Sequence, residues 1–460
     1  MSAFCLFCLL KTYLHGAIIS KVCEKEKHMT TVLIISALTC VLLMVVAFFK
    51  PSVTIKNTSV SIFWIVPFIG ALAMILSGKV SLDGIVEAFT SDSAVNPLKI
   101  LILFISMTLI SVYLDCVGFF RFLASAVLKK AGKSQLNLFF YLYITVSVLT
   151  VFTSNDIIVL TFTPFICYFA KNAKIDPIPF LITEFIAANT WSMILIIGNP
   201  TNIYLATNAG ATFADYTLKM ALPTVAAGVV SFIVLFLIFR KRLATPITGV
   251  GKEEKIKDKP AVVIGLIHLA GAIIMMVISS YINLPMWIIA AGFCISLFVT
   301  AAIYHAVAKR GFRVLGESIK RTPLETIPFV LSMFVIVLAL QNSGVTETVA
   351  HSLSHGNTVL TFGTTSFFAA NLINNIPMSV LFSSITNFTE GYNYTQALYA
   401  SIIGSNLGAF FTPLGALAGI MWTNLLKGSN VRMNFARFTK YGTAVALPTL
   451  AASLLTLAII

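Results

Sequence analysis

The sequence carries little charge for its length. Only 10% of its 460 residues are Asp, Glu, Lys or Arg, whereas 58% are hydrophobic and the mean hydropathy is +0.94. Soluble globular proteins carry about 25% charged and roughly 45–50% apolar residues. So few polar side chains exclude a soluble enzyme, a nucleic-acid-binding module and a disordered protein. The composition indicates a polytopic helical membrane protein.

Cysteine and histidine motifs are also lacking. The seven cysteines are scattered apart from Cys5 and Cys8, and none of the six histidines belongs to an HExxH motif. These patterns support neither a disulfide framework nor a zinc site, and they do not support an intramembrane metalloenzyme. We therefore expect no metal and no cofactor, and a transporter rather than an enzyme.

Residues 1–28 lack the features of a secretory signal peptide. No basic segment precedes their apolar run, no A-x-A site follows it, and a charged stretch at 21–28 separates it from Met29. We interpret residues 1–28 as an atypical N-terminal extension that arises from a mis-assigned start. The functional predictions concern the chain from Met29 onwards.

Long apolar segments predict ten membrane spans, since a spanning helix needs about 20 apolar residues. They lie at 31–49, 60–77, 99–116, 178–207, 221–239, 261–280, 284–305, 325–341, 395–426 and 439–459. Two further apolar stretches, 135–170 and 358–389, are interrupted at their centres by polar residues. Arms of about 15 residues favour re-entrant hairpins with polar tips at mid-membrane depth. The alternative is a pair of ordinary spans joined by a tight polar turn.

Basic residues predict the orientation. The segment 240–260 is a basic linker between two transmembrane halves, 29–239 and 261–460, and a second basic loop occupies 309–321. Between Thr322 and Trp422 there is no Lys or Arg. Because basic loops face the cytoplasm, we expect both hairpins to enter from opposite sides and both termini to lie outside. The net charge of +14 therefore follows from topology and not from a nucleic-acid partner.

An internal repeat relates the two halves. The segment Asn155-Asp156-Ile157 aligns with Asn374-Asn375-Ile376 at an offset of 219. An offset of 217 pairs Asn189 with Asn406 and Gly198 with Gly415, and one of 226 pairs Gly118 with Gly344. Five spans in each half, an odd number, give the second half an inverted topology. The predicted fold is thus an all-α polytopic membrane protein with an inverted repeat, two re-entrant hairpins and two broken helices, as in secondary transporters.

Two spans contain polar clusters with glycine and proline, GNPTN at 198–202 and TPLG at 412–415. Proline and glycine interrupt a helix and free backbone carbonyls and amides that can bind an ion or a hydroxylated solute. A simple proline kink is the alternative for either span alone, but two repeat-related breaks, each with a polar hairpin tip, indicate a site. The predicted binding residues are Ser154, Asn155, Asp156, Asn189, Thr190, Asn199, Thr201, Asn202, Asn374, Asn375, Ser405, Asn406 and Thr412.

Three acidic residues fall within apolar segments. A carboxylate at the bilayer centre costs about 2.5–3.5 kcal/mol on insertion scales, so a membrane acid needs a function or a partner. We predict that Asp156, at a hairpin tip and near a helix N-terminus, carries the coupling proton or cation, and that Glu184 is a second such group. Asp115, near the end of its span, is interpreted as a solvated interfacial acid.

The predicted span cores contain no Lys or Arg. A buried di- or trianion would therefore depend on bound cations and helix dipoles, and a neutral hydroxylated solute or a small cation is easier to accommodate. Cys116 and Cys167 could be soft ligands for arsenic(III), although buried cysteines are more often small apolar fillers.

These motifs resemble the ion transporter superfamily, which includes arsenite permeases, sodium/proton antiporters, the melanosomal P protein and citrate carriers. The resemblance covers nearly all of residues 31–460. It is closest to the arsenite permeases in four motifs: LDCVGFF at 114–120, SND at 154–156, NNIP at 374–377 and TPLGALA at 412–418. That family implies extrusion of arsenite or antimonite, by proton exchange or with an ATPase subunit.

Other residues depart from the arsenite permease pattern. Those permeases often carry Asp where this chain has Asn189 and Asn406, and Lys in place of Phe410; Glu184 and GNPTN at 198–202 resemble the P protein and citrate carriers instead. Despite these departures, the four motifs lead us to expect a plasma-membrane permease that exports arsenite or antimonite in exchange for protons. The alternatives are a sodium/proton antiporter, a carboxylate or other anion carrier and, from another class, a channel or membrane enzyme. Expected partners are the lipid bilayer, H⁺ or Na⁺, a soluble ATPase subunit on the 240–259 loop and a second copy of the chain.

Overall fold

The structure is a computed structural model that describes residues 26–46, 52–55, 58–91, 96–247, 255–389 and 391–460. Residues 1–25, most of the predicted N-terminal extension, lie outside this set. The described residues are almost entirely helical, apart from one short antiparallel hairpin in which Ser52 pairs with Ser61. The predicted all-α fold class is confirmed.

The first half contains ten α-helices, a 3₁₀ turn and the β-hairpin. Its elements are α1 (Glu26–Val46), β1 (Ser52–Ile55), β2 (Thr58–Ser61), α2 (Ile65–Leu76), α3 (Leu82–Thr90), α4 (Pro97–Cys116), α5 (Phe119–Ala131), α6 (Gln135–Phe152), α7 (Asn155–Ala173), α8 (Ile178–Trp191), the 3₁₀ turn Ile196–Gly198, α9 (Pro200–Asn208) and α10 (Phe213–Leu243).

The second half repeats this order of helices. Its elements are α11 (Lys259–Val277), α12 (Met286–Val307), α13 (Arg313–Arg321), α14 (Thr326–Asn342), α15 (Val345–Leu353), α16 (Thr358–Ile373), α17 (Asn375–Thr386), α18 (Gly391–Gly408), α19 (Leu417–Gly428) and α20 (Phe435–Ile459). Each half thus has a long helix, a short helix, a helical hairpin, a broken helix and a final long helix, in the same sequence.

Glycine marks the same turn in both halves. Gly118 precedes α5 with a φ of 88°, and Gly344 precedes α15 with a φ of 79°. Both angles lie in the left-handed region, which side chains with a Cβ rarely adopt. The local structure therefore matches at the predicted repeat positions, while the inverted orientation of the second half stays a prediction.

Eight helical segments among the described residues are long and apolar enough to cross a membrane: Glu26–Val46, Pro97–Cys116, Gln135–Phe152, Phe213–Leu243, Lys259–Val277, Met286–Val307, Arg313–Asn342 and Phe435–Ile459. Seven coincide with predicted spans. The predicted span at 60–77 contains a helix of only 12 residues, α2, because the β-hairpin occupies its beginning. The predicted spans at 178–207 and 395–426 are the broken helices.

The first helical hairpin is longer than expected. Its arms α6 and α7 have 18 and 19 residues, whereas α16 and α17 have 16 and 12. An arm of 18 residues reaches the minimum length for a full crossing. A re-entrant path therefore stays a prediction for α6–α7 and is easier to reconcile with the shorter arms of α16–α17.

Each hairpin packs on the broken helix of the other half. The second arm of the first hairpin, α7, packs on α19, and the second arm of the second hairpin, α17, packs on α9. The broken helices contact each other through α18, which packs on both α8 and α9. Both hairpin tips and both helix breaks are consequently assembled into one central region.

Candidate functional site

The first hairpin tip lies against the first broken helix. Asn155, the first residue of α7, is 1% exposed, and its side-chain amide donates a hydrogen bond to Asn189 Oδ1 at 2.9 Å. Its own Oδ1 has no hydrogen-bond partner among the described residues, and the same is true of the buried Ser154 hydroxyl. At this tip the Asn155 amide nitrogen is therefore hydrogen-bonded, whereas Asn155 Oδ1 and Ser154 Oγ have no described partner.

The second tip holds the second helix break. Asn374 has a φ of 73° between α16 and α17, and its side-chain amide donates to the Leu414 carbonyl at 3.2 Å. The backbone N–H of Asn375 donates to the Gly415 carbonyl at 3.1 Å, while Asn375 Oδ1 is buried without a described partner. Each tip thus presents one asparagine carbonyl oxygen that no described protein group satisfies.

The structure shifts the sequence alignment of the tips by one residue. Asn155 and Asn375 each open the second arm of their hairpin, and each has an unpartnered Oδ1. Asp156 therefore corresponds to Ile376, and not to Asn375 as the sequence alignment suggested. The error arose because both positions are polar, whereas the helix starts fix the register.

Glycine permits both helix breaks. A Cβ on Gly198 would lie 2.2 Å from the Ser192 carbonyl oxygen, and one on Gly415 would lie 2.3 Å from the Gly408 carbonyl oxygen. At each break the chain folds back against the end of the preceding half-helix, closer than any side chain allows. This equivalence supports the predicted pairing of the two glycines.

A buried amide network joins the two breaks. Asn406 Oδ1 accepts hydrogen bonds from the Ser192 hydroxyl at 3.0 Å and from Asn199 Nδ2 at 2.9 Å. Asn406 Nδ2 donates to Asn202 Oδ1 at 2.7 Å, and Asn202 Nδ2 donates to the Ser192 carbonyl at 2.7 Å. Because these groups satisfy one another, the network fixes the breaks relative to each other.

Several of the predicted binding residues contain buried polar atoms without a hydrogen-bond partner among the described residues. A buried polar atom left unpaired costs about 1–3 kcal/mol, so these atoms are available to an ion, a solute or water. They are Ser154 Oγ, Asn155 Oδ1, Thr190 Oγ1, Thr201 Oγ1, Asn375 Oδ1 and Ser405 Oγ.

Thr412 has a structural contact that sequence reasoning missed. Its hydroxyl donates to Asn371 Oδ1 at 2.7 Å, and the Asn371 amide donates to the Gly408 carbonyl at 3.0 Å. Asn371 therefore caps the end of α18 from the neighbouring hairpin. The signal was an amide in the apolar stretch 358–389, four residues before Asn375.

Asp156 lines an open cavity of about 740 Å³. The carboxyl group lies in the first turn of α7, where the helix dipole favours negative charge. Arg321, the last residue of α13, and Glu325, just before α14, line the same cavity, as does Asn424 of α19. The cavity thus connects the first hairpin tip with the basic loop 309–321.

Glu184, in contrast, is sealed. Its side chain is 0% exposed on α8, and the Thr163 hydroxyl lies 3.2 Å from both carboxylate oxygens. The indole of Trp422, on α19, lies close to the same carboxyl group. The acid therefore sits where α7, α8 and α19 meet, with no cation paired to it among the described residues.

The interpretation of Asp115 as a solvated acid is wrong. Asp115 is 3% exposed and forms an ion pair with Arg321, whose second guanidinium nitrogen lies 3.6 Å from the Cys116 sulfur. Helix α13 packs on α4 and brings Arg321 over this end of the span. Sequence reasoning missed the pair because its members are about 200 positions apart.

The described residues contain no cluster of three or more His, Cys, Asp or Glu that could hold a metal ion. Cys116 lies at the Asp115–Arg321 ion pair, and Cys167 is a buried thiol on α7 near Glu184. The two thiols thus have different surroundings.

Comparison with known proteins relates this arrangement to membrane transporters. Residues 58–391 match the family model CitMHS, a citrate transporter family. The arsenical pump membrane protein of Escherichia coli is 28% identical over 372 residues, which cover 77% of this chain and 85% of the relative. The putative arsenical pump membrane protein of Bacillus subtilis is 24% identical over 422 residues, covering 83% and 93% of the two chains.

Two solved structures have a similar fold. The YdaH transporter of Alcanivorax borkumensis superposes with a TM-score of 0.54 at 14% identity, covering 94% of this chain and 98% of its own. MtrF of Neisseria gonorrhoeae superposes with a TM-score of 0.52, also at 14% identity, covering 94% of each chain. At this identity the likeness concerns the fold alone.

Proposed function

The chain belongs to the CitMHS citrate transporter family and is a multi-pass secondary transporter of ions; from this premise we propose that it exports arsenite or antimonite in exchange for protons. Asp156 is the proposed proton carrier. The observation that carries the proposal is the position of this carboxyl group, at a hairpin tip in the first turn of α7 and open to the 740 Å³ cavity. A carboxylate there can take up and release protons from the aqueous phase.

The proposed substrate matches the uncharged lining of the central region. Arsenous acid is a neutral trihydroxide near neutral pH, and its hydroxyls both donate and accept hydrogen bonds. The unpartnered oxygens of Asn155, Thr190 and Asn375 are available to such hydroxyls. No Lys or Arg is among the predicted binding residues, which favours a neutral solute over a multiply charged anion.

The orientation predicted from the basic loops sets the side to which the cavity opens in an alternating-access cycle. If the loop 309–321 faces the cytoplasm, the cavity that contains Asp156 and Arg321 opens to the cytoplasm, and the described conformation is inward-facing. The substrate would enter from this side. Movement of the tips and breaks against the remaining helices would then expose it to the outside, where a proton binds Asp156 for the return step.

A carboxylate carrier is the second candidate. Lys320 and Arg321 line the cavity on the side of the basic loop, where they would attract a citrate-like anion. The family description points the same way. A cell-membrane location, termini on the outside, an ATPase subunit and a homodimer stay predictions.

The test is uptake of arsenite into acid-inside everted vesicles. The unaltered protein should take up arsenite until the pH gradient is collapsed, and Asp156→Asn should abolish this uptake. Glu325→Gln is the matched control, because Glu325 is a second carboxyl group in the same cavity. Uptake by Asp156→Asn at the original rate and pH dependence would refute the assignment, and uptake of citrate in place of arsenite would select the carboxylate carrier.

A further inference from the structure

The loop between α19 and α20 encloses an open basic cavity of about 770 Å³. Lys427 from the last turn of α19, Arg432 from the loop and Arg437 from the first turn of α20 line it. No acidic side chain lines the cavity, and no Asp or Glu follows Glu390 in the sequence. None of these three cations pairs with a carboxylate among the described residues, and the lining of the cavity carries a net positive charge.

The position of Arg437 indicates an anionic ligand. It is in the first turn of α20, where its charge opposes the positive end of the helix dipole and therefore does not stabilise the helix. The side chain of Asn434 accepts from the Arg437 backbone N–H at 2.8 Å, which satisfies only part of the free amides at this helix start. An anion in the cavity would interact favourably with the helix and with all three cations.

A second, mainly apolar cavity of about 260 Å³ continues from the first. The two share Thr423, Lys427, Met433 and Asn434, and the second extends along α19 to Pro413 at the helix break. Its remaining walls are Leu414, Ile420, Phe435 and Phe438. The combined site is therefore positively charged at one end and apolar at the other.

We propose that these two cavities bind an anionic phospholipid. The phosphate lies among Lys427, Arg432 and Arg437, and one acyl chain lies along α19 toward Pro413. A small soluble anion would use only the charged end, whereas a phospholipid uses both. On the predicted topology this end of α19 is at the cytoplasmic leaflet, where anionic lipids attract basic residues.

The lipid would also influence transport. The apolar cavity ends at Leu414, whose carbonyl accepts the hydrogen bond from the Asn374 side chain at the second tip. An acyl chain there contacts the break that the proposed transport cycle moves. This last consequence rests on the proposed function, while lipid binding itself does not.

Native mass spectrometry of the delipidated full-length protein tests the site. Phosphatidylglycerol is the probe, phosphatidylcholine is the uncharged reference and glycerol phosphate is the free-anion arm. In the triple variant Lys427→Gln, Arg432→Gln, Arg437→Gln, phosphatidylglycerol should bind about tenfold or more weakly. A matched triple variant of exposed linker cations, Lys241→Gln, Lys255→Gln and Lys257→Gln, should bind as the unaltered protein does.

A second variant keeps the charges and fills the junction of the cavities. Met433→Trp should weaken phosphatidylglycerol binding and leave any glycerol phosphate binding unchanged. Equal losses in the two triple variants, unchanged lipid binding in Met433→Trp, or competition by glycerol phosphate at the lipid's own concentration would each overturn the proposal. Asp156→Asn should retain the lipid, so failure of the proposed transport mechanism is distinguishable from failure of this site.

Discussion

The first tip-and-break unit, residues 135–208, and the second, residues 358–428, share a backbone plan. Each has an asparagine with an unpartnered carbonyl oxygen at the start of its second arm, Asn155 or Asn375. Each also has a break closed by a glycine against a backbone carbonyl, Gly198 or Gly415. The asparagine at the hairpin tip and the glycine at the helix break are therefore each present in both units.

The acidic groups are present once. Asp156 corresponds to Ile376, which is 5% exposed. Glu184 lies five residues before Asn189 and so corresponds to Ser401, which lies five residues before Asn406. The Ser401 hydroxyl donates to the Ala397 carbonyl at 2.7 Å. The two units therefore share an unpartnered asparagine oxygen, but the first alone has carboxyl groups at these positions. On the proposed function, this difference would separate the residues that bind the substrate from the acids that couple transport to protons.

The largest effect is expected at Gly198 and Gly415, the glycines of the two helix breaks, and it should be equal in the two units. Gly198→Ala and Gly415→Ala should each destabilise the protein by about 3 kcal/mol, since the new Cβ would collide with a backbone carbonyl. Thermal unfolding in detergent measures this. Gly292→Ala is the control, because nothing lies within 4 Å of a Cβ there. A large loss at one break and not at the other would end the structural equivalence of the units.

The second prediction moves the carboxyl group between the units. Asp156→Asn should reduce proton-driven transport by about a hundredfold or more, because the titrating group is gone. Adding Ile376→Asp should not restore it, since Ile376 is buried and is not in the lining of the 740 Å³ cavity. Recovery of pH-dependent transport in the double variant would mean that the two tips are interchangeable.

The sequence predicted the class of fold, both hairpins and both breaks, because apolar length, proline and glycine act locally. The repeat paired Asn189 with Asn406 and Gly198 with Gly415, on the two broken helices, whereas the binding roles of the predicted site residues stay predictions. Gly118 and Gly344, recognised as a pair, have the same left-handed conformation.

Features that depend on packing between distant helices were not predictable. The Asp115–Arg321 ion pair joins α4 to α13, and the contact of Thr412 with Asn371 joins the second break to a neighbouring hairpin. The tips were aligned one residue out of register because polarity alone does not identify the first residue of a helix. The two contacts were missed for a different reason, because in each the partners lie far apart in the chain.

Glu184 provides a smaller test of the asymmetry. Glu184→Gln keeps the size and the contact with the Thr163 hydroxyl but removes the charge, and we expect about a tenfold decrease in transport, since a buried acid in a membrane segment usually lies on an ion path. Ser401→Ala, the corresponding change in the second unit, should alter transport less than about twofold. Equal effects would indicate that Glu184 serves packing alone.

The shared asparagines should show symmetry. Asn155→Ala and Asn375→Ala should each raise the apparent KM by about fivefold, the loss expected for one hydrogen bond of about 1 kcal/mol. Concentration dependence of vesicle uptake measures it. Asn208→Ala is a control, because Asn208, the last residue of α9, already donates its side-chain amide to the Ser383 carbonyl of α17. A change confined to Asn155 would assign substrate binding to the first unit alone.

The smallest effect is expected at the ion pair between Asp115 of the first half and Arg321 of the second. Asp115→Asn should lower stability by about 1 kcal/mol, because the Arg321 side chain is 39% exposed and can turn to solvent. Arg321→Gln should cost more, since it leaves the buried Asp115 carboxylate without its partner. The double variant should therefore be more stable than Arg321→Gln alone in thermal unfolding. Gln341 is exposed and lies three residues before Gly344, as Asp115 lies three before Gly118. Gln341→Ala should therefore change nothing measurable, and a loss there equal to that of Asp115→Asn would contradict the role of the pair.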